Sequence, residues 1–488
     1  MKIVIIGASF AGVSAAIESR KLYPDAEIIL IEAQDKIGYI PSGLNMLLNG
    51  DLPSLDESFF VKEDYLYEQN IQLQLGTRVI SLFANEKKLI TAHMRYQRSV
   101  SYDVLILAMG SRQADNLSKS LNSTQIITTK DYVSSAHARR VVESAQNLAI
   151  IGGGQIAIET TDALVSVNKQ VTIIEMRDQL LHNYFDANFV KDIQSIIEFT
   201  ATEVYLNEKV TSIEVNPLKI TTDKQELYPD AILLATSLIP NSELVKDIVE
   251  LNDNGTIKVD EYLETSVQDI FAVGDLIQTP FGQGQHQEFV ALINNAVRSG
   301  QIAALNLKEK RVKQSHSVRV MGTKVFNHYI SSVGYTYQQA QKLYDPLEIT
   351  VQVPYTLDDD TPVVLKLVVE KESGLILGAQ FRSRADILSY TNFMALAIQD
   401  GLSDVDLAFR DRLYYPREIS LNTVIYDAAL ACYRKRAFPH LFPETVDSQE
   451  EIIEETIKTA FNAKNHMDKS PVPMTSTVSE FKLPKKFD

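Results

Sequence analysis

At 488 residues, with 45% hydrophobic and 23% charged side chains, the chain has the composition of an ordinary globular protein and a length that suits about three domains. A net charge of −16 argues against nucleic acid or an anionic membrane as partner. No apolar run is long enough to cross a bilayer, Met1 leads straight into a strand pattern without space for a signal peptide, and one cysteine, Cys432, excludes an intramolecular disulfide and a cysteine metal cluster. The expectation is a cytoplasmic protein with no metal site.

The run Lys2-Ile3-Val4-Ile5-Ile6 predicts a buried strand. Gly7-Ala8-Ser9-Phe10-Ala11-Gly12 follows, then apolar positions at helical spacing to about Leu22, then a second strand, Glu27 to Ile31, ending in Glu32. Strand, tight turn, helix, strand and acid in this order make a βαβ dinucleotide-binding unit. Gly7 permits the sharp turn. The small Ser9 lets backbone N–H groups approach a pyrophosphate at a helix N-terminus, and Gly12 lets the helix pack close to the strand. A carboxylate at Glu32 is placed to accept hydrogen bonds from ribose hydroxyls.

Ala33 to Ile40 reads as a loop. Pro41-Ser42-Gly43 opens a helical stretch, Leu44 to Leu48, and Ser58 to Gln69 reads as a helix with aromatic anchors. Strands are expected at Gln72 to Leu75, Arg78 to Phe83, Lys88 to Met94 and Val104 to Ala108. The last is stopped by Met109-Gly110-Ser111, small residues that suit a backbone passing close to a ligand. A second nucleotide unit begins near Asn147. Leu148 to Ile151 is its strand, Gly152-Gly153-Gly154-Gln155-Ile156-Ala157 its turn, and Val171 to Ile174 the next strand, ending in Glu175. That acid favours an unphosphorylated ribose, hence NADH over NADPH, with Arg177 near enough to meet a 2′-phosphate. Ala231 to Ala235 is another buried strand. Asp269-Ile270-Phe271-Ala272-Val273-Gly274-Asp275 gives strand, glycine and acid, a combination that binds a polyol chain, and Leu292 to Leu305 reads as a helix with small residues on one face. From about His316 a separate α+β module follows, with strands at Ile349 to Tyr355, Val363 to Val369 and Leu375 to Phe381 and helices at Ile387 to Gln399 and Leu421 to Arg434. Beyond Ser448 a charged helix, Glu450 to Phe461, leads into a tail without core pattern.

With these residues in place, the chain resembles the FAD-dependent pyridine nucleotide–disulfide oxidoreductases, in the branch of NADH oxidase, NADH peroxidase and coenzyme A disulfide reductase. The markers are both glycine turns with Glu32 and Glu175, Gly110-Ser111, Pro240-Asn241, Phe271 to Asp275, and Asp411 to Pro416 with Tyr414-Tyr415. The resemblance implies an α/β fold with two Rossmann-like domains and a C-terminal α+β dimerisation domain. It implies an FAD-binding domain over 1–112 and 242–315, an NAD-binding domain over 113–241 and a dimerisation domain over 316–445; it covers about Met1 to Pro443, and the charged tail over 446–488 lies outside it. Gly7, Ala8, Ser9, Phe10, Ala11, Gly12, Glu32 and Ala33 would hold the FAD diphosphate and adenosine, and Val79 would meet the adenine. Ala108, Met109, Gly110 and Ser111 would line the flavin, Gly274 and Asp275 would hold the ribitol, and Ala291 and Leu292 would sit at the flavin pyrimidine edge. Gly152, Gly153, Gly154, Gln155, Ile156, Glu175, Tyr184 and Ser237 would bind NADH, with Glu159 one turn further along the helix toward the flavin. A homodimer would lean Tyr415 over the partner's flavin.

The sequence departs from that branch where the chemistry is done. The redox cysteine falls at Ser42, which also faces the flavin, and a hydroxyl cannot cycle through a sulfenic acid or a mixed disulfide. Phe10 stands where histidine is common, and Gln155 where an aromatic residue is. Cys432 lies in an apolar helical stretch and reads as a core residue. The reading is an NADH oxidoreductase that passes hydride to flavin and electrons on to a small-molecule acceptor, oxygen, with hydrogen peroxide as expected product. The alternatives are a thiol, persulfide or coenzyme A disulfide reductase-like enzyme, and a flavin- and NADH-binding redox sensor.

Overall fold

The computed structural model describes residues 1–114, 123–283, 286–355, 361–411 and 420–441. Its contacts divide the chain into Met1–Pro443 and Glu444–Asp488; the second unit, with the expected Glu450 to Phe461 helix and the tail, lies outside the described residues.

The first unit is built on three five-stranded sheets. In the first, strands Ile270–Ala272, Val104–Leu107, Lys2–Ile6, Glu27–Ile31 and Ile71–Gln74 lie side by side, all parallel. The core around this sheet takes in Ala15 and Ala303 from helices and Leu82, Leu89 and Val100 from a three-stranded antiparallel sheet, and with both faces covered the central strands Lys2–Ile6, Glu27–Ile31 and Val104–Leu107 are almost continuous Ile, Val and Leu. Helix Phe10–Leu22 packs on helix Ile293–Asn306, and the small face of the latter is explained at Gly300, where a Cβ would lie 2.3 Å from the Ala11 carbonyl oxygen. The second sheet repeats the plan with Glu203–Tyr205, Gln170–Ile174, Asn147–Ile151, Ala231–Leu234 and Ile126–Ile127. The chain crosses between the two sheets along an antiparallel pair, Ser111–Gln113 with Leu238–Pro240.

The third sheet is antiparallel, with Met321–Val325, His328–Gly334, Ile376–Ser383, Pro362–Glu370 and Pro346–Pro354 in that order. One face packs on helices Leu388–Gln399 and Ser420–Ala437. Met321, Val325, Ile330 and Val364 on the other share a core with Phe189 and Ile193 of helix Ala187–Phe199. Burial on both faces accounts for the apolar run of Pro362–Glu370 where an open sheet would alternate.

The expected helix from Ser58 to Gln69 is corrected. Only Glu63–Glu68 is helical, after a short turn at Leu55–Glu57. Phe59 instead pairs with Tyr39 in extended backbone, tied by Ile40 N–H to the Ser58 carbonyl (2.9 Å) and Phe60 N–H to the Gly38 carbonyl (3.0 Å). Extended backbone sends successive side chains to opposite sides. Phe59 thereby reaches Tyr39 and Tyr132, while Phe60 stacks on Phe10 with ring centroids 4.2 Å apart. A helix would have separated Phe59 and Phe60 by only about a quarter-turn and lost one of these partners.

Candidate functional site

Each nucleotide unit contains the same small device. Gly7 has φ 103° and a Cβ there would sit 2.3 Å from the Ala108 carbonyl oxygen; Gly152 has φ 113° and its Cβ would sit 2.5 Å from the Ala235 carbonyl oxygen. No side chain fits either turn. Glu32 reaches back across the first turn, accepting from Ala8 N–H (2.8 Å) with one oxygen and from Gln34 N–H (2.9 Å) with the other. Glu175 does the same in the second, from Gly153 N–H (2.6 Å) and Arg177 N–H (2.8 Å). The acid that ends each strand therefore holds the glycine turn in shape. Each carboxylate oxygen has a further lone pair for a ribose hydroxyl.

The cradle fits a bound dinucleotide. Gly110 and Gly154 face open space, with nothing within 4 Å of where a Cβ would stand. Ser9 and Gly154 precede their helices without a side-chain cap, so the first-turn N–H groups, which helix geometry leaves unpaired, remain to meet a diphosphate. Ala8, Ala11 and Gly12 are buried beneath the turn, Ser9 and Ala33 are exposed, and Phe10 is occupied by its stack on Phe60. Val79 lies in strand Thr77–Phe83, where the register shifts at its neighbour.

Asn241 closes the Ala108 to Ser111 loop, its side chain donating to the Met109 carbonyl and its N–H to the Gly110 carbonyl, both at 2.9 Å. Ser111 Oγ donates to Asp275 Oδ2 (2.6 Å), and Lys130 Nζ donates to both, at 2.5 Å and 3.0 Å. Gly274 holds the acid in place through its N–H to Ser299 Oγ (2.9 Å). Lys130 escaped the reading of the sequence, because a lone cation ahead of a helix cap carries no motif. It brings a positive charge to the acid expected to hold a polyol.

A cavity of about 530 Å³ opens between the 183–184 and 286–292 segments and the residues flanking the third sheet, and Tyr184, Ala291 and Leu292 line it. His286, Glu288, Arg319 and Tyr335 line it too, and none was singled out from sequence. Arg319 pairs with Glu288 (3.2 Å) and lies over the rings of Phe281 and Tyr184. Burial pushes the Tyr184 phenol up and Arg319 pulls it down, with Glu159 near enough to raise it. Glu159 accepts from the Gln155 side-chain amide at 2.8 Å, and Ile156 is half-buried beside them. Ser237 lies at the crossing between the sheets, its carbonyl accepting from Ala114 N–H (2.7 Å).

Ser42 immediately precedes helix Gly43–Leu48, half-buried, its hydroxyl 3.9 Å from Met46 Sδ. Leu44 and Leu48 of that helix pack into the second core, which sets it against the helix bearing Gln155 and Glu159. Cys432 is fully buried in the third core, far along the chain from the glycine turns, and burial pushes its thiol up. Tyr414 and Tyr415 lie outside the described residues.

Residues 1–300 match the family described as pyridine nucleotide-disulphide oxidoreductase, and residues 320–418 match the dimerisation domain of that family. The NADH oxidase of Enterococcus faecalis is 28% identical over 426 residues, spanning 85% of this chain and 96% of that protein. The NAD(P)H sulfur oxidoreductase (CoA-dependent) of Pyrococcus furiosus is 27% identical over 432 residues, spanning 85% and 95%. The water-forming NADH oxidase of Lactobacillus brevis, solved bound to NADH, superposes with a TM-score of 0.86 at 26% identity, covering 90% of this chain and 100% of that one.

Proposed function

The chain belongs to the pyridine nucleotide-disulphide oxidoreductases, and we propose that within this family it is an FAD-dependent NADH oxidase that works without a redox thiol and yields hydrogen peroxide. Bound FAD supplies the two-electron chemistry, taking electrons from NADH and handing them to oxygen. The first glycine turn and Glu32 hold the diphosphate and adenosine, and Asp275 with Ser111 and Lys130 holds the ribitol. Ala291 and Leu292 border the pyrimidine edge. The second turn, Glu175, Tyr184 and Ser237 hold NADH, and Glu159, steadied by Gln155, borders its reactive end. A second copy of the chain brings Tyr415 to the flavin in a homodimer, through the segment that matches the dimerisation domain.

The observation that carries the peroxide reading is Ser42. Among the described residues its hydroxyl makes the weak contact to Met46 alone, and the single thiol, Cys432, is sealed in another core. A serine cannot receive the oxygen atom that a cysteine sulfur takes from peroxide, so peroxide leaves. The experiment is anaerobic titration of the purified yellow protein with NADH, followed by air and a peroxide assay. Fast bleaching, fast reoxidation and about one peroxide per NADH support the reading. Water formed in place of peroxide by the wild-type protein overturns it. Fast bleaching with slow reoxidation moves the acceptor to persulfides, disulfides or quinones. No bleaching by NADH leaves NADPH or the sensor reading.

A further inference from the structure

The segment after Glu175 is fastened from outside its own sheet. It runs over the second glycine turn, where Leu181 N–H donates to the Gly153 carbonyl at 2.8 Å and Leu180 packs against Gly153 itself. Leu181 takes a left-handed conformation, φ 54°, which a leucine adopts only when its surroundings impose it. The loop ends at Asp186, the residue that precedes helix Ala187–Phe199. That is the capping position, yet its carboxylate makes no capping bond to its own helix.

The carboxylate is turned instead to the C-terminal sheet. It accepts from Tyr337 N–H (3.0 Å) and Gln338 N–H (3.2 Å) at the start of helix Tyr337–Ala340, and from the Gln380 amide (2.6 Å). Lys366 Nζ lies 3.2 Å away, and the Asp186 N–H donates back to Gln380 at 2.9 Å. Asp186 is 4% exposed, Lys366 and Gln380 1% each. Lys366 also pairs with Glu348 (2.5 Å) and donates to Asn188 (2.9 Å), and Arg382 pairs with Asp192. A second grip lies three residues earlier in the loop, where Gln339 donates to the Asn183 carbonyl (3.2 Å) and accepts from Arg319 (2.6 Å). Tyr184 is held between the two grips.

Buried charge of this kind is weak evidence for stability, because a well-packed apolar pair does as well. What it fixes is geometry: a carboxylate with four donors from three separate segments has one place to sit. In open α/β sheets ligands occupy the crevice outside the carboxyl ends of the strands, and the 178–186 loop forms the wall of that crevice above the second turn. We propose that Asp186 is a positioning residue through which the C-terminal sheet sets this loop over the nucleotide turn. The affinity for NADH then depends on a contact made by another part of the fold. The inference rests on the assignment of the second turn to NADH.

The test is calorimetric titration of NAD+ into the full-length, flavin-loaded protein, which reads binding without turnover. Asp186→Ala should weaken NAD+ binding ~10-fold, within the coupling expected of residues in one hydrogen-bond network, and Asp186→Asn by less. Asp186→Ala should add little when combined with Tyr184→Ala, because both act on one loop. The apparent KM for NADH should rise by the same factor while the limiting rate of flavin bleaching changes less than ~2-fold. Wild-type NAD+ affinity in flavin-loaded Asp186→Ala, or full additivity with Tyr184→Ala, overturns the proposal. Should Asp186→Ala not fold, Gln339→Ala removes the bond to the Asn183 carbonyl, together with those its amide oxygen accepts from Arg319 and Thr336 N–H, and leaves the Asp186 carboxylate in place: weaker NAD+ binding supports the clamp and unchanged binding overturns it. Wild-type protein that binds NAD+ but is not bleached by NADH overturns the oxidase reading and leaves the clamp standing. Wild-type protein that binds no NAD+ overturns both.

Discussion

Replacing Glu175 by Gln tests whether the acid at the end of the nucleotide strand has the double duty the geometry gives it. Glu175 is 5% exposed and accepts from two backbone N–H groups, at 2.6 Å and 2.8 Å. Glutamine has the same shape but only one acceptor oxygen, so one N–H keeps a partner and the other faces an NH2 group. Downgrading the bond to the buried Gly153 N–H from charge-assisted to neutral costs about 1 kcal/mol, and leaving the part-buried Arg177 N–H against an NH2 group costs about 1–3 kcal/mol. The sum is ~2–4 kcal/mol of stability, before any ligand is present. The same substitution at Glu32, which is less buried, should cost less, since water can reach the orphaned N–H. Urea unfolding of the two variants, followed by circular dichroism, gives the ranking. NAD+ titration gives the second half of the claim: Glu175→Gln should bind ~10-fold or more weakly, as the ribose loses a charged acceptor and the turn loosens. A Glu175→Gln protein with wild-type unfolding midpoint and wild-type NAD+ affinity refutes the reasoning on both counts.

Lys130→Met leaves Asp275 with Ser111 as its neighbour and removes the charge set against it, so flavin affinity should fall by about 1–2 kcal/mol, roughly 10-fold, read as flavin lost on dilution. His328 is buried with its ring against the Phe326 carbonyl, and burial holds its pKa below the ordinary 6.5 despite that hydrogen bond. The unfolded chain therefore takes up this proton first, so the stability that the neutral ring contributes is present above pH ~6.5 and is lost as pH falls from there toward the depressed folded value. His328→Gln should flatten the decline of the urea midpoint over that window.

How much of this could be read from the chain follows from how local each signal is. The glycine turns were legible because their requirements lie within about 25 residues: a positive φ at Gly7 and Gly152, a close approach at Gly12, an acid at the end of the next strand. Gly274-Asp275 was legible for the same reason. Lys130 and Arg319 were not, because each acquires its meaning from partners far away in sequence, Asp275 for one and Glu288 for the other. The aromatic stretch at Phe59 and Phe60 misled, since the pattern of large apolar residues is shared by a helix and by an extended segment reaching to both sides. Asp186 is the sharpest instance. It carries no motif in the sequence, and only the fold shows its carboxylate, at the capping position of a helix, turned to a different sheet.

Position 42 itself is free of structural duty, and this bears on how a thiol enzyme and a thiol-free one can share a fold. The helix that begins there is fixed by its neighbours. A Cβ at Gly43 would lie 2.6 Å from Ser58 Cβ, and Leu44 is buried in the second core. The Ser42 side chain does not cap its helix, and its one hydrogen-bond contact among the described residues, to a methionine sulfur at 3.9 Å, is weak. Exchange of oxygen for sulfur at this half-buried site should therefore change stability by no more than ~0.5 kcal/mol. Ser42→Cys is then a chemical probe alone: it should fold and hold flavin as the wild type does, and its peroxide yield per NADH should fall as the new thiolate reduces peroxide. A Ser42→Cys protein that folds normally, exposes a titratable thiol and still releases the wild-type yield of peroxide would show that the missing sulfur is not what decides the product.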